Sequence, residues 1–88
     1  MNSMMNSICH IIITESEGSN QEHQQTMDLF ADASVATDYF KKCRERGMEE
    51  VKNRGDYSVH IDTESHFLVV SDSSELWIEV KHFIKPVN

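Results

Sequence analysis

Residues 32–55, DASVATDYFKKCRERGMEEVKNRG, decide how this chain is read. Val35, Ala36, Tyr39, Phe40 and Cys43 follow the i, i+1, i+4, i+5, i+8 spacing of one apolar helix stripe. Asp32 or Ser34 supplies the N-cap, because a short acceptor side chain can bond the first free backbone N–H groups. Two stops compete at the other end. Gly47 could end the helix, yet Met48 and Val51 prolong the same stripe. A helix reaching Asn53 or Arg54, with Gly55 as its C′ residue, is the competing expectation. Basic residues in the final turns complement the helix dipole in either case.

On both sides of this segment the apolar period changes to two. Cys9, Ile11 and Ile13 alternate with Ile8, His10, Ile12 and Thr14, which predicts a strand over residues 8–15. Residues 16–25 are polar, contain Gly18 and Asn20, and predict a hairpin loop or a mobile connection. Residues 26–31 predict a second strand, with Met27, Leu29 and Ala31 on one face and Asp28 and Phe30 on the other. After the helix, Tyr57, Val59 and Ile61 alternate with polar residues, and residues 67–70 are apolar on both faces. Leu76, Ile78 and Val80 alternate with Trp77, Glu79 and Lys81. Short polar links at 63–65 and 72–74 suit antiparallel hairpins. The prediction is an α+β fold in the order β-β-α-β-β-β: an antiparallel sheet of four or five strands with one helix across one face.

A chain of 88 residues is one small domain with a modest core. Residues 1–7 read as a mobile lead-in without the positive region of a secretory signal, and the apolar run at 8–13 is too short to span a bilayer. The expectation is a soluble, cytoplasmic protein with no membrane partner. Cys9 and Cys43 fall in apolar stripes of different elements and read as reduced core residues.

Charge is laid out unevenly. Residues 1–40 hold acids (Glu15, Glu17, Glu22, Asp28, Asp32, Asp38) and no Lys or Arg. Residues 41–54 hold most of the bases, and the net charge is −7. That balance disfavours generic phosphate binding and suits a basic partner. The bases Lys41, Lys42, Arg44 and Arg46 are the alternative, a nucleic-acid footprint on the helix. Asp38 with Lys41 or Lys42, and Glu49 with Lys52, have the spacing of helix ion pairs, which favours a solvated, internally paired face. Arg44 and Arg46 flank the buried stripe and could hold carboxylates from the sheet or from a partner.

Chemistry-bearing motifs are sparse. There is no Gly-rich phosphate loop, nucleophile elbow or C-x-x-C, so no catalytic residue is assigned and the chain is read as a non-enzyme. His60, Asp62, Glu64 and His66 alternate and would share one face of a continuous strand, as metal ligands could. The turn expected at 63–65 breaks that face, so neither a metal nor another cofactor is assigned.

One helix covers one face of a sheet. On the uncovered face the expected apolar set is Ile12, Phe30, Trp77 and Phe83, a candidate partner or dimer surface. In size and charge the chain resembles small acidic inhibitors of phages and mobile elements, of the anti-restriction and anti-CRISPR kind. The resemblance is compositional and assigns no residue. The function expected is a small acidic binding protein that occupies a basic or nucleic-acid-binding macromolecule. Glu15, Glu17, Glu22, Asp28 and Asp32 would steer encounter, and Phe30, Trp77, Phe83 and Ile12 would anchor it. The alternatives are a homodimeric interaction module and direct nucleic-acid binding through the basic helix segment.

Overall fold

The computed structural model describes residues 8–18 and 22–86. Residues 1–7, the expected lead-in, lie outside the described residues, as do 19–21 in the polar connection and 87–88. The elements are β1 (Ile8–Glu17), β2 (His23–Phe30), α1 (Ala33–Arg54), β3 (Tyr57–Asp62), β4 (His66–Ser71) and β5 (Trp77–Pro86). All five strands form one antiparallel sheet in the order β2-β1-β5-β4-β3, and α1 lies across it. This is the α+β architecture that the two periods predict.

Several boundaries move outward. β1 continues to Glu17 and β2 begins at His23, because polar residues there pair across the ladder from Glu15 with Gln25 to Glu17 with His23. β5 runs on to Pro86 because β1 supplies ladder partners as far as Ile8. In β3 the register with β4 shifts between Val59 and Ile61, so His60 falls at a bulge and the simple alternation breaks there.

Helix α1 is capped as its end residues require. Asp32 is extended, and its carboxylate accepts from the Ser34 and Val35 N–H groups at 2.8 and 3.3 Å. The Ser34 hydroxyl donates to the same oxygen at 2.8 Å. These donors, the hydroxyl first, hold the Asp32 carboxyl below its usual range. Gly55 closes the helix in the left-handed region, φ 76°, with its N–H on the Val51 carbonyl. Gly47 does not stop the helix, which runs through it along the ring of Phe67.

The core is Ile12, Ala36, Phe40, Cys43, Phe67, Val69 and Val80. Phe30, Tyr39, Met48, Val51, Tyr57 and Ile78 pack around it. Val35, the first residue of the expected stripe, lies off the core and is exposed. The Tyr39 hydroxyl donates to Asp28 at 2.8 Å, tying the helix to β2. On the other flank Arg44 makes two bonds to Asp62, at 2.7 and 2.6 Å, and its guanidinium lies 5.6 Å from the Phe67 ring centre. The helix is therefore fastened to both margins of the sheet, which leaves the opposite face outside its reach.

Candidate interaction surface

The strand ladders fix which side chains share the face away from α1. Neighbours across strands point the same way, so the registers define rows. One row is Leu29, Ile11 and Phe83; the next is Met27, Ile13, Lys81 and His66. Gln25, Glu15, Glu79, Leu68 and Ile61 follow, and then His23, Glu17, Trp77 and Val70. Leu29 is 62 % exposed, Met27 61 % and Phe83 44 %, which makes this end of the face an open apolar patch.

The other alternate of β1 meets the helix. Ile12 is fully buried beneath α1, and Phe30 packs against Tyr39 with ring centres 5.2 Å apart. Both were expected on the uncovered face, and that assignment is corrected. Sequence alternation gives two sets per strand but not which set the helix covers. Here the helix covers the more polar set of β1 (His10, Ile12, Thr14), while Cys9, Ile11 and Ile13 point away from it. Trp77 and Phe83 do lie on the uncovered face, but six residues apart along β5, about 20 Å. They therefore belong to opposite ends of it. The residues that sequence reasoning missed are Ile11, Ile13, Met27 and Leu29. The available signal was that Met27 and Leu29 share one parity, as do Ile11 and Ile13.

A polar band crosses the face beside this patch. His23 lies 3.1 Å from Glu15 and 3.2 Å from Glu17, and its ring meets Trp77 edge-on at 5.8 Å. Glu79 contacts His66 at 2.5 Å and Lys81 at 3.6 Å. Of the acids expected to steer a partner, Asp28 is engaged by Tyr39 and Asp32 is the helix cap. Glu15 and Glu17 share His23, and Glu22 is exposed in the connection. The Asp28 hydrogen bond and burial push the Tyr39 hydroxyl up to about 12.

A second concentration of carboxylates appears only in three dimensions. The β1–β2 connection, the α1–β3 junction and the β4–β5 turn all lie at one end of the sheet. They bring together Glu17, Glu22, Glu50, Asp56, Asp72 and Glu75, against Lys52 and Arg54. Glu50 is paired with Arg54 at 3.2 Å, so the within-helix ion pair formed is this one rather than Asp38 with Lys41 or Lys42, or Glu49 with Lys52. The Asp72 N–H donates to the Asp56 carbonyl at 2.7 Å, which holds two of these connections together. Trp77 sits at this same acidic end.

The basic helix segment does not converge. Lys41 and Lys42 are exposed, Arg44 is held by Asp62, and Arg46 directs Nη2 to the Cys43 sulfur at 3.7 Å. Asp62 is likewise held below its usual range by the Arg44 bond. Beside them a groove of about 840 Å³ runs along α1, lined among others by Phe40, Lys41, Arg44, Glu64, His82 and Ile84. The alternating segment is divided too: Asp62 turns to Arg44, His66 to Glu79, and the 63–65 turn is closed by the Thr63 hydroxyl. Among the described residues no group of three or more His, Cys, Asp or Glu is placed to hold a metal ion. Cys9 and Cys43 are both free thiols. No helix of the described residues is long and apolar enough to cross a membrane.

No protein-family model, no curated protein and no solved structure matches this chain.

Proposed function

We propose that this protein is a non-enzymatic binding protein that occupies a basic, nucleic-acid-binding macromolecule through the acidic end of its sheet. The observation that carries this reading is that Glu17, Glu22, Asp56, Asp72 and Glu75 lie at the same end of the sheet as Trp77, on three of its connections. Such an end attracts a surface that normally grips phosphates with Lys and Arg, and the half-buried indole offers a rigid apolar contact beside the charges. The steering role moves from Asp28 and Asp32, which hold the fold together, to the carboxylates of the connections. An inhibitor of the kind phages and mobile elements direct at nucleic-acid-processing enzymes would use such a surface.

The test is capture from a lysate of the protein's own host, with bound proteins identified by mass spectrometry at low and high salt. The expected result is a basic nucleic-acid-binding protein released by salt and not retained by an Asp56→Lys, Asp72→Lys, Glu75→Lys variant. Equal retention by that variant, or capture indifferent to salt, overturns the reading. Direct nucleic-acid binding is a separate outcome: a mobility shift that disappears on Lys41→Glu, Lys42→Glu would replace it.

A further inference from the structure

β1 and β2 turn their more apolar alternates away from the only helix of the described residues. Cys9, Ile11 and Ile13, with Met27 and Leu29, form a patch with Phe83 on the uncovered face, while His10, Ile12, Thr14, Thr26, Asp28 and Phe30 lie on the helix side. Leaving Met27, Leu29 and Phe83 exposed costs hydrophobic free energy in an isolated chain. The arrangement is favourable where the exposed set is covered by something else.

We propose that the cover is a second copy of this chain, packed sheet to sheet about a two-fold axis that runs across the strands between the Ile11 and Ile13 rows. Symmetry then sets Ile11 over Ile13 of the second copy and Leu29 over Met27 of the second copy, so the patch is its own complement. On β5 the same operation sets Phe83 over Lys81 of the second copy, where the Lys stem packs on the ring and its ammonium faces the π-system. Lys85, which shares the Cys9 row, comes over Glu79 of the second copy.

Charge selects this axis over the other two-fold that also brings the sheets face to face. An axis along β1 would place Glu15 and Glu17 beside their own copies, an unfavourable like-charge contact, and would leave Lys85 without a carboxylate opposite. The axis across the strands exchanges the Lys85 end for the Glu79 end and does so twice. The overlap covers four rows on β1 and β5, roughly 27 Å along the strands, and the Leu29 and Met27 rows on β2, about 14 Å at strand spacings. That is about 300 Å² of plane before side-chain relief, below the area per partner of stable specific interfaces and in keeping with a weak dimer. Aligned sheets twisted by about 30° accommodate it. The dimer goes beyond the proposed binding role. It leaves the Trp77 row outside the overlap and carries one acidic end at each extremity.

The test is sedimentation across a concentration series, followed by zero-length carbodiimide cross-linking of the full chain. The expected species is a dimer that dissociates on dilution and yields a Lys85 to Glu79 cross-link. Those two residues lie about 20 Å apart along one strand, so only two copies can form that link. Met27→Lys with Leu29→Lys changes two exposed side chains and should give a folded monomer with an unchanged far-UV spectrum. Lys85→Glu should weaken the dimer at least several-fold. A wild-type monomer at every concentration overturns the proposal. So does a dimer that survives the Met27→Lys, Leu29→Lys substitutions, or one cross-linked through β2 edges alone. None of these variants touches Asp56, Asp72 or Glu75, so failure of the dimer and failure of partner capture are separately visible.

Discussion

Gly47 lies in the middle of α1 because the ring of Phe67 occupies the space a side chain would need. A Cβ built at Gly47 would stand 2.6 Å from Cε2 of Phe67 and 3.3 Å from Cζ. The glycine lets the helix backbone settle onto a fully buried aromatic ring, and the contact sets how close α1 comes to β4. Two effects oppose each other in Gly47→Ala. Helix propensity favours alanine by about 1 kcal/mol, while overpacking a filled core costs about 1–3 kcal/mol. The ring is also fastened from outside by Arg44, which limits its retreat. Net destabilisation is expected, with a lower urea midpoint and an unchanged slope. A Phe67→Leu background, which vacates the ring edge, should turn the same substitution neutral or stabilising. A Gly47→Ala chain more stable than wild type with Phe67 intact would refute the close-contact account.

Gly55 differs from Gly47 in kind. Nothing lies within 4 Å of a Cβ there, but its φ is 76°, where a side chain is strained by its own backbone. Gly55→Ala should cost about 1 kcal/mol, while Gly55→Asn should cost less because asparagine tolerates that region. Equal losses for the two in chemical denaturation would show that the αL requirement is not the cause.

Tyr39 fastens the helix to β2 through Asp28. Tyr39→Phe keeps the ring against Phe30 and removes only the donor, so about 1 kcal/mol should be lost. The bond also predicts an alkaline response. The Tyr39 hydroxyl is raised from 10.0 to about 12, so the folded state keeps its proton after the unfolded chain has lost it. This stabilisation is complete below pH 10 and declines as pH rises toward 12. Burial raises the Tyr57 hydroxyl as well, so ultraviolet titration should show both phenols ionising late, and Tyr39→Phe should remove one of the two late components. An early, ordinary titration for both tyrosines would rule the bond out in solution.

Much of this fold was legible in periodicity. The helix announced itself through Ala36, Phe40 and Cys43, and Asp32 and Gly55 marked its ends as caps do. Gly47 left the length open, because a breaker and a close-packing glycine look alike until the facing ring of Phe67 is known. Each strand showed its alternation, yet alternation alone does not say which set faces the helix. β1 has isoleucine in both sets, and the helix took the one containing Ile12. The expected apolar set of the uncovered face therefore had two of its four residues, Ile12 and Phe30, assigned to the wrong side. The His60 bulge and the acidic end were equally illegible, since one depends on pairing register and the other on connections distant in sequence.

His10 and His82 meet beneath the N-terminal half of α1, with His10 Nδ1 and His82 Nε2 3.1 Å apart and the Phe40 ring 6.2 Å from that of His82. One imidazole donates to the other, an arrangement that two imidazolium rings, which carry donors only, could not make. Burial, and then the charge of His10, hold His82 below its ordinary value of 6.5. The unfolded chain therefore binds a proton at a pH where the native protein does not. The contribution to stability is whole above about pH 6.5 and is lost as pH falls from there to the depressed folded value. Urea midpoints should be flat from neutral to mildly alkaline pH and decline below pH 6.5, before carboxylates begin to titrate. His82→Gln keeps a side chain that can bond His10 and removes the titration, so its midpoints should decline less over that interval. If the variant follows the wild-type curve throughout, the acid sensitivity belongs to other groups and the paired imidazoles are not its source.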